Sequence, residues 1–130
     1  MEEIRWKQRF ENFERSVQLL GKAVAVKTPD DITKAGIVQC FEICFELAWN
    51  LLKDYLNDQG IIVKFPRDTF KKAFEVELLS DGQLWIDMLK NRNLMSHTYN
   101  PSIAEKAHNL IVNSYYSAMC TLYKQMKNKL

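Results

Sequence analysis

The chain has 130 residues, and its 18 Lys and Arg residues nearly balance 16 Asp and Glu residues, so the formal net charge is +2. This length suits one domain with one hydrophobic core, and we expect a single domain over residues 1–130. The near-neutral charge argues against a broad electrostatic field that would bind DNA or a membrane surface. The acidic N-terminus and the apparent lack of a long apolar run predict a cytoplasmic protein without signal peptide or membrane span.

Apolar residues recur at steps of three and four over most of the chain, which is the spacing of one face of an α-helix. The first predicted helix covers residues 4–26. The second covers residues 31–58 and ends before Gly60, a suitable residue just after a helix C-terminus. Because Glu42 and Glu46 are the only charges between positions 36 and 49, we expect the second helix to lie at the centre of the fold.

The second half of the chain continues the helical pattern after residues 61–63, which we interpret as an extended connector. Further helices are predicted over residues 66–79, from the break at residues 80–82 into residues 91–101, and over residues 102–127. Phe70, Ala73 and Phe74 are expected to face the core. The sequence therefore predicts an all-α fold, an up-and-down helical bundle of about five helices, four long and one short.

Three cysteines, Cys40, Cys44 and Cys120, cannot all pair with one another. Cys40 and Cys44 lie one turn apart in an apolar run, where free cysteines behave as small hydrophobic residues. A zinc site would need four converging ligands, and only His97 and His108 are available to add to the thiols. We therefore expect neither a metal nor a cofactor.

Residues 91–101 read Asn-Arg-Asn-Leu-Met-Ser-His-Thr-Tyr-Asn-Pro. This stretch gathers Arg, Asn, Ser, His, Thr and Tyr with few apolar residues between them. Arg92 and His97 are five residues apart, about 140° out of line on a regular helix. For both to serve one site, the helix must unwind near Ser96 or two chains must face each other. Pro101 favours such a break, because the residue before a proline is driven out of helical geometry.

Arg92 and His97 suit metal-free RNA cleavage. His97 would act as general acid or base at the 2′-hydroxyl, and Arg92 would stabilise negative charge on the phosphate. The same residues could instead hold a nucleotide without cutting it. A third interpretation is purely structural: a polar loop caps two helices, and His97 bonds to a backbone carbonyl.

Glu42 and Glu46 share one face of the second predicted helix with Trp49 and Lys53. The two carboxylates either face Arg92 or a ligand, or form the single solvated stripe of a mostly buried helix. The spacing alone leaves both interpretations open.

The sequence lacks the motifs of a nucleotide-transferring catalyst. Its four glycines are followed by Lys, Ile, Ile and Gln, which excludes a glycine-rich phosphate loop. A Gly-Ser followed by paired aspartates is also missing. The chain is therefore not expected to be a nucleotidyltransferase itself.

Two sequence blocks resemble a known family. Arg92-x4-His97-x-Tyr99 is similar to the R-x4-6-H and R-x4-H-x-Y signatures of the HEPN superfamily. The block Gln39 to Trp49, containing Phe-Glu-x3-Glu-Leu-Ala-Trp, and the block Arg92 to Asn100 together resemble the nucleotidyltransferase substrate-binding protein family. The resemblance extends from Arg5 to the last helix.

The resemblance implies a helical bundle that forms a homodimer and works with a separate minimal nucleotidyltransferase. It also implies a substrate-binding set, with a nucleotide or RNA as possible ligand, made of Glu42, Glu46, Arg92, Asn93, Ser96 and His97. Relatives with the R-x4-H-x-Y motif are toxin ribonucleases that are silenced when the partner adds AMP to the motif tyrosine. By this resemblance Arg92 and His97 would be the nuclease pair and Tyr99 the AMP acceptor.

Two functions from different classes therefore remain. The leading one is a substrate-binding subunit of a two-component minimal nucleotidyltransferase, as part of a pair of the toxin–antitoxin type. The alternative is a metal-independent ribonuclease toxin that its nucleotidyltransferase partner neutralises. Toxicity without the partner would favour the second, and transfer to an acceptor other than Tyr99 would favour the first.

Overall fold

The computed structural model describes residues 2–130, and of Glu2 only the backbone. These residues form α-helices with one π-helical segment and contain no β-strand. The helices are α1 (Glu2–Val24), α2 (Asp31–Asp58), α3 (Pro66–Glu75), α4 (Gly82–Lys90), α5 (Arg92–Met95), α6 (Pro101–Leu110), the π segment (Ile111–Tyr115) and α7 (Tyr116–Lys127). The predicted all-α bundle is confirmed. Residues 61–63, the predicted connector, lie in neither a helix nor a strand.

Helix α2 lies at the centre of the bundle, as its composition predicted. Asp30 caps its N-terminus, where the carboxylate accepts a hydrogen bond from the backbone N–H of Thr33 at 2.7 Å. After its C-terminus Gly60 adopts φ +84°, a conformation that glycine tolerates best. Its buried side chains are Ile37, Val38, Phe41, Cys44, Phe45, Ala48, Leu51, Leu52, Asp54 and Leu56.

Helix α2 also corrects the expectation that the chain has no apolar run long enough to cross a membrane. By length and composition alone α2 is long and apolar enough to do so. In the folded chain its apolar side chains contact the neighbouring helices instead, as in the core helix of many soluble bundles. Burial inside the bundle therefore explains the composition of α2 without a membrane.

Helix α1 packs along α2 through the predicted apolar stripe. Its buried residues include Trp6, Phe10, Phe13, Val17 and Leu20. The Phe10 ring stacks on Tyr123 of α7 with the ring centroids 5.6 Å apart, so α1 contacts both the central and the last helix. Each fully buried Phe or Leu contributes about 2 kcal/mol through the hydrophobic effect.

Two predictions about α3 are wrong. The helix ends at Glu75 rather than near position 79, because the chain turns at Glu77, whose φ is +65°. Phe74 was expected to face inward but is 51% exposed. The inner face of α3 is formed by Phe70 and Ala73, and the next residue lies 100° further round the helix.

The last predicted helix, residues 102–127, begins one residue earlier and is not regular. Asn100 caps it, since its side-chain oxygen accepts a hydrogen bond from the Ser102 backbone N–H at 3.0 Å. The π segment then separates α6 from α7 and contains Tyr115, which is only 1% exposed. Such π turns are often found at functional sites.

Candidate functional site

The polar stretch at residues 91–101 folds as the short helix α5 followed by a turn. Met95 is buried and fixes α5 on the bundle. The helix ends at Ser96, whose hydroxyl donates to the Asn93 carbonyl at 2.9 Å. The helix breaks near Ser96, which is one of the two arrangements by which Arg92 and His97 could serve one site. Asn93 and Ser96 both lie on the exposed surface of this turn.

Asn91 links this turn to the π segment. Its side-chain amide donates a hydrogen bond to the hydroxyl of Tyr115 at 2.7 Å. The Tyr115 ring in turn stacks on Phe41 of α2, with the centroids 5.2 Å apart. Because Asn91 lies between α4 and α5, this bond fixes the position of the residue just before Arg92.

Arg92 lies over α2 in a small group that we call the Arg92 cluster: Phe45, Glu46, Trp49 and Arg92. The Arg92 guanidinium donates to one Glu46 oxygen at 3.3 Å, and the Trp49 indole N–H donates to the other at 3.0 Å. The guanidinium carbon also lies 5.5 Å from the centroid of the Phe45 ring. About half of the Arg92 side chain, 48%, remains exposed and can meet a ligand.

Glu42 lies one turn before Glu46 and is partly buried. Burial raises the pKa of Glu42, and the nearby Arg92 charge offsets part of that rise. The carboxyl group is therefore less readily ionised than a solvated one. The structure thus places both glutamates near Arg92, and only Glu46 bonds to it.

His97 belongs to a second, separate contact. Its Nδ1 lies 3.0 Å from the Tyr99 hydroxyl, and the tautomer decides which of the two donates. Both side chains are on the surface, with Tyr99 81% exposed. Among the described residues no hydrogen bond joins Arg92 to His97.

The predicted site residues thus form two groups within one chain, Glu46 with Arg92 and His97 with Tyr99. The predicted structural role for His97, bonding to a backbone carbonyl, is wrong, because its ring bonds to the Tyr99 hydroxyl. Among residues 2–130 no three His, Cys, Asp or Glu side chains lie close enough together to hold a metal ion.

The structure adds contacts that the sequence pattern did not reveal. Phe45 lies under Arg92, and Tyr115 holds Asn91. Asn91 and Tyr115 are separated by 24 positions, so no local pattern could pair them. The bond from Trp49 to Glu46 joins residues three apart on one helix, and that spacing was a usable signal.

This chain is a small helical-bundle protein. Its Arg-x4-His turn lies over a central helix that carries Glu46. The family described as nucleotidyltransferase substrate binding protein like matches residues 8–128. The chain belongs to this family, which confirms the resemblance stated from the sequence.

Comparisons with individual proteins agree with this assignment. A Haemophilus influenzae protein named Probable ribonuclease HepT is 31% identical over 75 residues, 54% of this chain, and the match spans only 51% of that protein's length. The crystal structure of ttk003001694 from Thermus thermophilus is 26% identical, with a TM-score of 0.81 over 88% of this chain and 98% of the other.

A second solved structure is HI0074 from Haemophilus influenzae, described as having the fold of a substrate binding domain of a nucleotidyltransferase. It is 22% identical, with a TM-score of 0.70 over 98% of this chain and 99% of the other. At that identity the likeness shows a common fold.

Proposed function

We propose that this protein is the substrate-binding subunit of a two-component nucleotidyltransferase. Family membership over residues 8–128 is the observation that carries this proposal. The catalytic subunit would be a separate minimal nucleotidyltransferase, because the present sequence has neither a phosphate-binding loop nor the paired aspartates of that chemistry.

The Arg92 cluster supports this function chemically. The half-exposed guanidinium can pair with an anionic group of a substrate, such as a phosphate or carboxylate. Glu46 lies beside it and can accept a hydrogen bond from a hydroxyl or amine. Asn93, Ser96 and His97 add further hydrogen-bonding groups on the adjacent turn.

The test is nucleotide transfer by the two subunits together. The purified protein is combined with the minimal nucleotidyltransferase of its own genome and radiolabelled ATP, and labelled acceptors are separated. We expect transfer that needs both subunits and falls at least about tenfold with Arg92→Gln, which removes one charge-assisted contact. Lys124→Gln on α7 is the matched control. Transfer that is equally fast without this subunit would contradict the proposal.

A second function is favoured by one comparison, the match over part of the chain to a protein named as a ribonuclease. In that function His97 would remove the proton of an RNA 2′-hydroxyl. The hydroxyl oxygen then attacks the adjacent phosphorus, the bond from phosphorus to the 5′-oxygen breaks, and the 5′-oxygen takes from His97 the proton that the imidazole had removed, which leaves a 2′,3′-cyclic phosphate. Arg92 would stabilise the extra negative charge on the phosphate. A homodimer would bring Arg92 of one chain to His97 of its partner, since the two form no bond within one chain.

RNA cleavage by the purified protein separates the two functions, provided that its intact mass shows no AMP on Tyr99. Cleavage that His97→Ala abolishes would establish the ribonuclease, with the nucleotidyltransferase as its regulator in a toxin–antitoxin pair. Lack of cleavage by the unmodified protein would exclude this second function under the conditions used.

Modification of Tyr99 also belongs to this second function. Its exposed hydroxyl oxygen would attack the α-phosphate of ATP and release pyrophosphate, which leaves AMP bonded to the residue that contacts His97. Mass spectrometry after incubation with the partner and ATP would detect the adduct, and Tyr99→Phe should not carry it. Homodimerisation and a cytoplasmic location are parts of the same proposal.

A further inference from the structure

A concave surface lies between α3 and α4, and none of the residues of the Arg92 cluster lines it. Its volume is about 710 Å³, within the usual range for small-molecule sites. We call it the α3–α4 cleft. Its lining residues used below are Arg67, Lys71 and Phe74 of α3, and Gly82, Ile86 and Lys90 of α4.

Three positive side chains line the cleft without a carboxylate partner. Among the described residues Arg67, Lys71 and Lys90 form no ion pair. Glu75 lies one turn after Lys71 and lines the same cleft, but its carboxylate pairs with Lys72 at 3.0 Å. The cleft is therefore lined by three cations against two carboxylates, which leaves a small excess of positive charge.

The spacing of these charges is unfavourable for the helix itself. Arg67 and Lys71 are four residues apart on α3, where like charges repel and destabilise a helix by a few tenths of a kcal/mol. The Asp81 carboxylate also lines the cleft, where it caps α4 by accepting from the Leu84 backbone N–H at 3.1 Å, but it forms no ion pair with either cation. A bound anion would remove the repulsion.

An aromatic ring is held at the α4 end of the cleft. Phe74 is 51% exposed, and its ring lies against Gly82, where an added Cβ would stand only 2.9 Å from a ring carbon. Glycine at position 82 therefore allows the ring to rest on the first turn of α4. Ile86 is 8% exposed and adds an apolar contact in the same cleft.

We propose that the α3–α4 cleft binds a mononucleotide, with the base stacked on Phe74 and the phosphates held by Arg67, Lys71 and Lys90. An exposed ring accepts any base through its face, and guanidinium and ammonium groups are the usual protein ligands of phosphate. The proposal concerns residues outside the Arg92 cluster and does not depend on the proposed function.

The distances along α3 agree with this ligand. Lys71 lies three residues before Phe74, about 5 Å along the helix axis, and Arg67 lies seven residues before Phe74, about 10 Å along the axis. A nucleoside triphosphate extends over a comparable distance from its base to its terminal phosphate. A second copy of this chain is a poor occupant, because a symmetric contact would bring the same cations against each other.

The experiment is a calorimetric titration of the whole protein with ATP and AMP, repeated with variants in pairs. Phe74→Ala and Lys71→Gln should each weaken ATP binding about tenfold, the effect of one lost base stack or one phosphate contact. The matched controls are Phe65→Ala and Lys72→Gln. Phe65 is 66% exposed but lies outside the cleft, and Lys72 already pairs with Glu75, so both should bind ATP within twofold of wild type.

Further ligands and variants separate this site from others. Lys124→Gln on α7, which lies outside both the Arg92 cluster and the cleft, should bind ATP as the wild type does. Because this titration contains no nucleotidyltransferase partner, its result is independent of the test of the proposed function. Ribose 5-phosphate binding as tightly as AMP would overturn the base stack. ATP binding that is absent, or unchanged by both Phe74→Ala and Lys71→Gln, would overturn the site. A short single-stranded RNA that binds more tightly than ATP with the same Phe74 dependence would overturn the assignment to a free mononucleotide.

Discussion

At the scale of single residues, Glu42 is a carboxyl group whose ionised form is less stable in the folded chain than in water. Burial is the larger influence and raises its pKa, and the Arg92 charge lowers it by less. Because the pKa of Glu42 is higher in the folded than in the unfolded chain, its protonated form stabilises the fold fully at pH values below the pKa of the unfolded chain. That contribution is lost as the pH rises through the folded pKa.

We therefore expect Glu42→Gln, which mimics the protonated side chain, to be more stable than the wild type at about pH 7 and equal to it near pH 4. Urea unfolding at both pH values measures the difference. Glu11→Gln on the exposed face of α1 is the control and should differ little at either pH. A Glu42→Gln variant that is less stable at about pH 7 would show that the attraction to Arg92 outweighs burial.

Cys44 is a second residue whose environment decides its chemistry. It is fully buried, and burial raises the pKa of its thiol to about 12. Because the thiolate is the reactive species, Cys44 should not react with a thiol reagent in the folded protein near pH 8.

Cys40 and Cys120 are partly exposed and should be labelled first. Mass spectrometry of partly labelled protein measures the order, and early labelling of Cys44 would show that the core opens locally. Labelling after denaturation in urea is the control, since all three thiols should then react.

At the scale of helices, the π segment is bonded to the start of the polar stretch at residues 91–101. The Tyr115 hydroxyl accepts the bond from Asn91 and thereby connects the last helix to the residue before Arg92. A regular α-helix over residues 101–127 would present a different side of this segment to α4 and α5. The irregular turn in the last helix is therefore linked to the position of α5.

Tyr115→Phe removes this bond while it keeps the buried ring, so we expect a loss of about 1 kcal/mol in the free energy of unfolding. Amide hydrogen exchange in residues 91–96 should become faster. Tyr123→Phe is the matched control. The Tyr123 hydroxyl donates to Glu14 of α1 at 2.6 Å, so this bond does not involve α5. This variant should cost a similar amount of stability and leave exchange in residues 91–96 unchanged. Equal exchange in both variants would exclude a positioning role for Tyr115.

At the scale of the whole molecule, α1 is joined to α2 by apolar contacts and by one ion pair. The Arg9 Nε donates to Asp54 at 2.6 Å, and the Asp54 side chain is only 8% exposed whereas that of Arg9 is 40% exposed. Removal of Arg9 leaves a buried carboxylate without its partner. Removal of the Asp54 charge leaves an arginine that water can still solvate.

The expected losses therefore differ. Arg9→Ala should cost about 2 kcal/mol in the free energy of unfolding, below the value for a fully buried pair because water reaches Arg9. Asp54→Asn, which keeps an acceptor oxygen, should cost about 1 kcal/mol. Lys7→Ala, in the exposed Lys7–Glu3 pair of the same helix, is the control and should cost less than about 0.5 kcal/mol. Equal losses for Arg9→Ala and Lys7→Ala, measured by urea unfolding, would contradict this account.

The sequence by itself determined the helical class, the central position of α2 and the family, because these depend on local periodicity and contiguous motifs. The apolar stripe of α1 and Gly60 lie where the pattern predicted them. Pro101 favoured a break in the helix near Ser96, whereas the spacing of Arg92 and His97 required one only if both residues served one site. The roles of Arg92, His97 and Tyr99 remain predictions.

Only the tertiary structure decided which side chains meet. The prediction that Phe74 faces the core was wrong. Near the end of a short helix, the helical period alone does not decide which of two adjacent apolar residues, Ala73 or Phe74, faces inward. Asn91 bonds to Tyr115, and the Phe45 ring lies under Arg92. The α3–α4 cleft likewise brings together cations from two helices. Such contacts depend on how helices pack, and hydrophobic burial of the whole bundle fixes that packing rather than any local sequence signal.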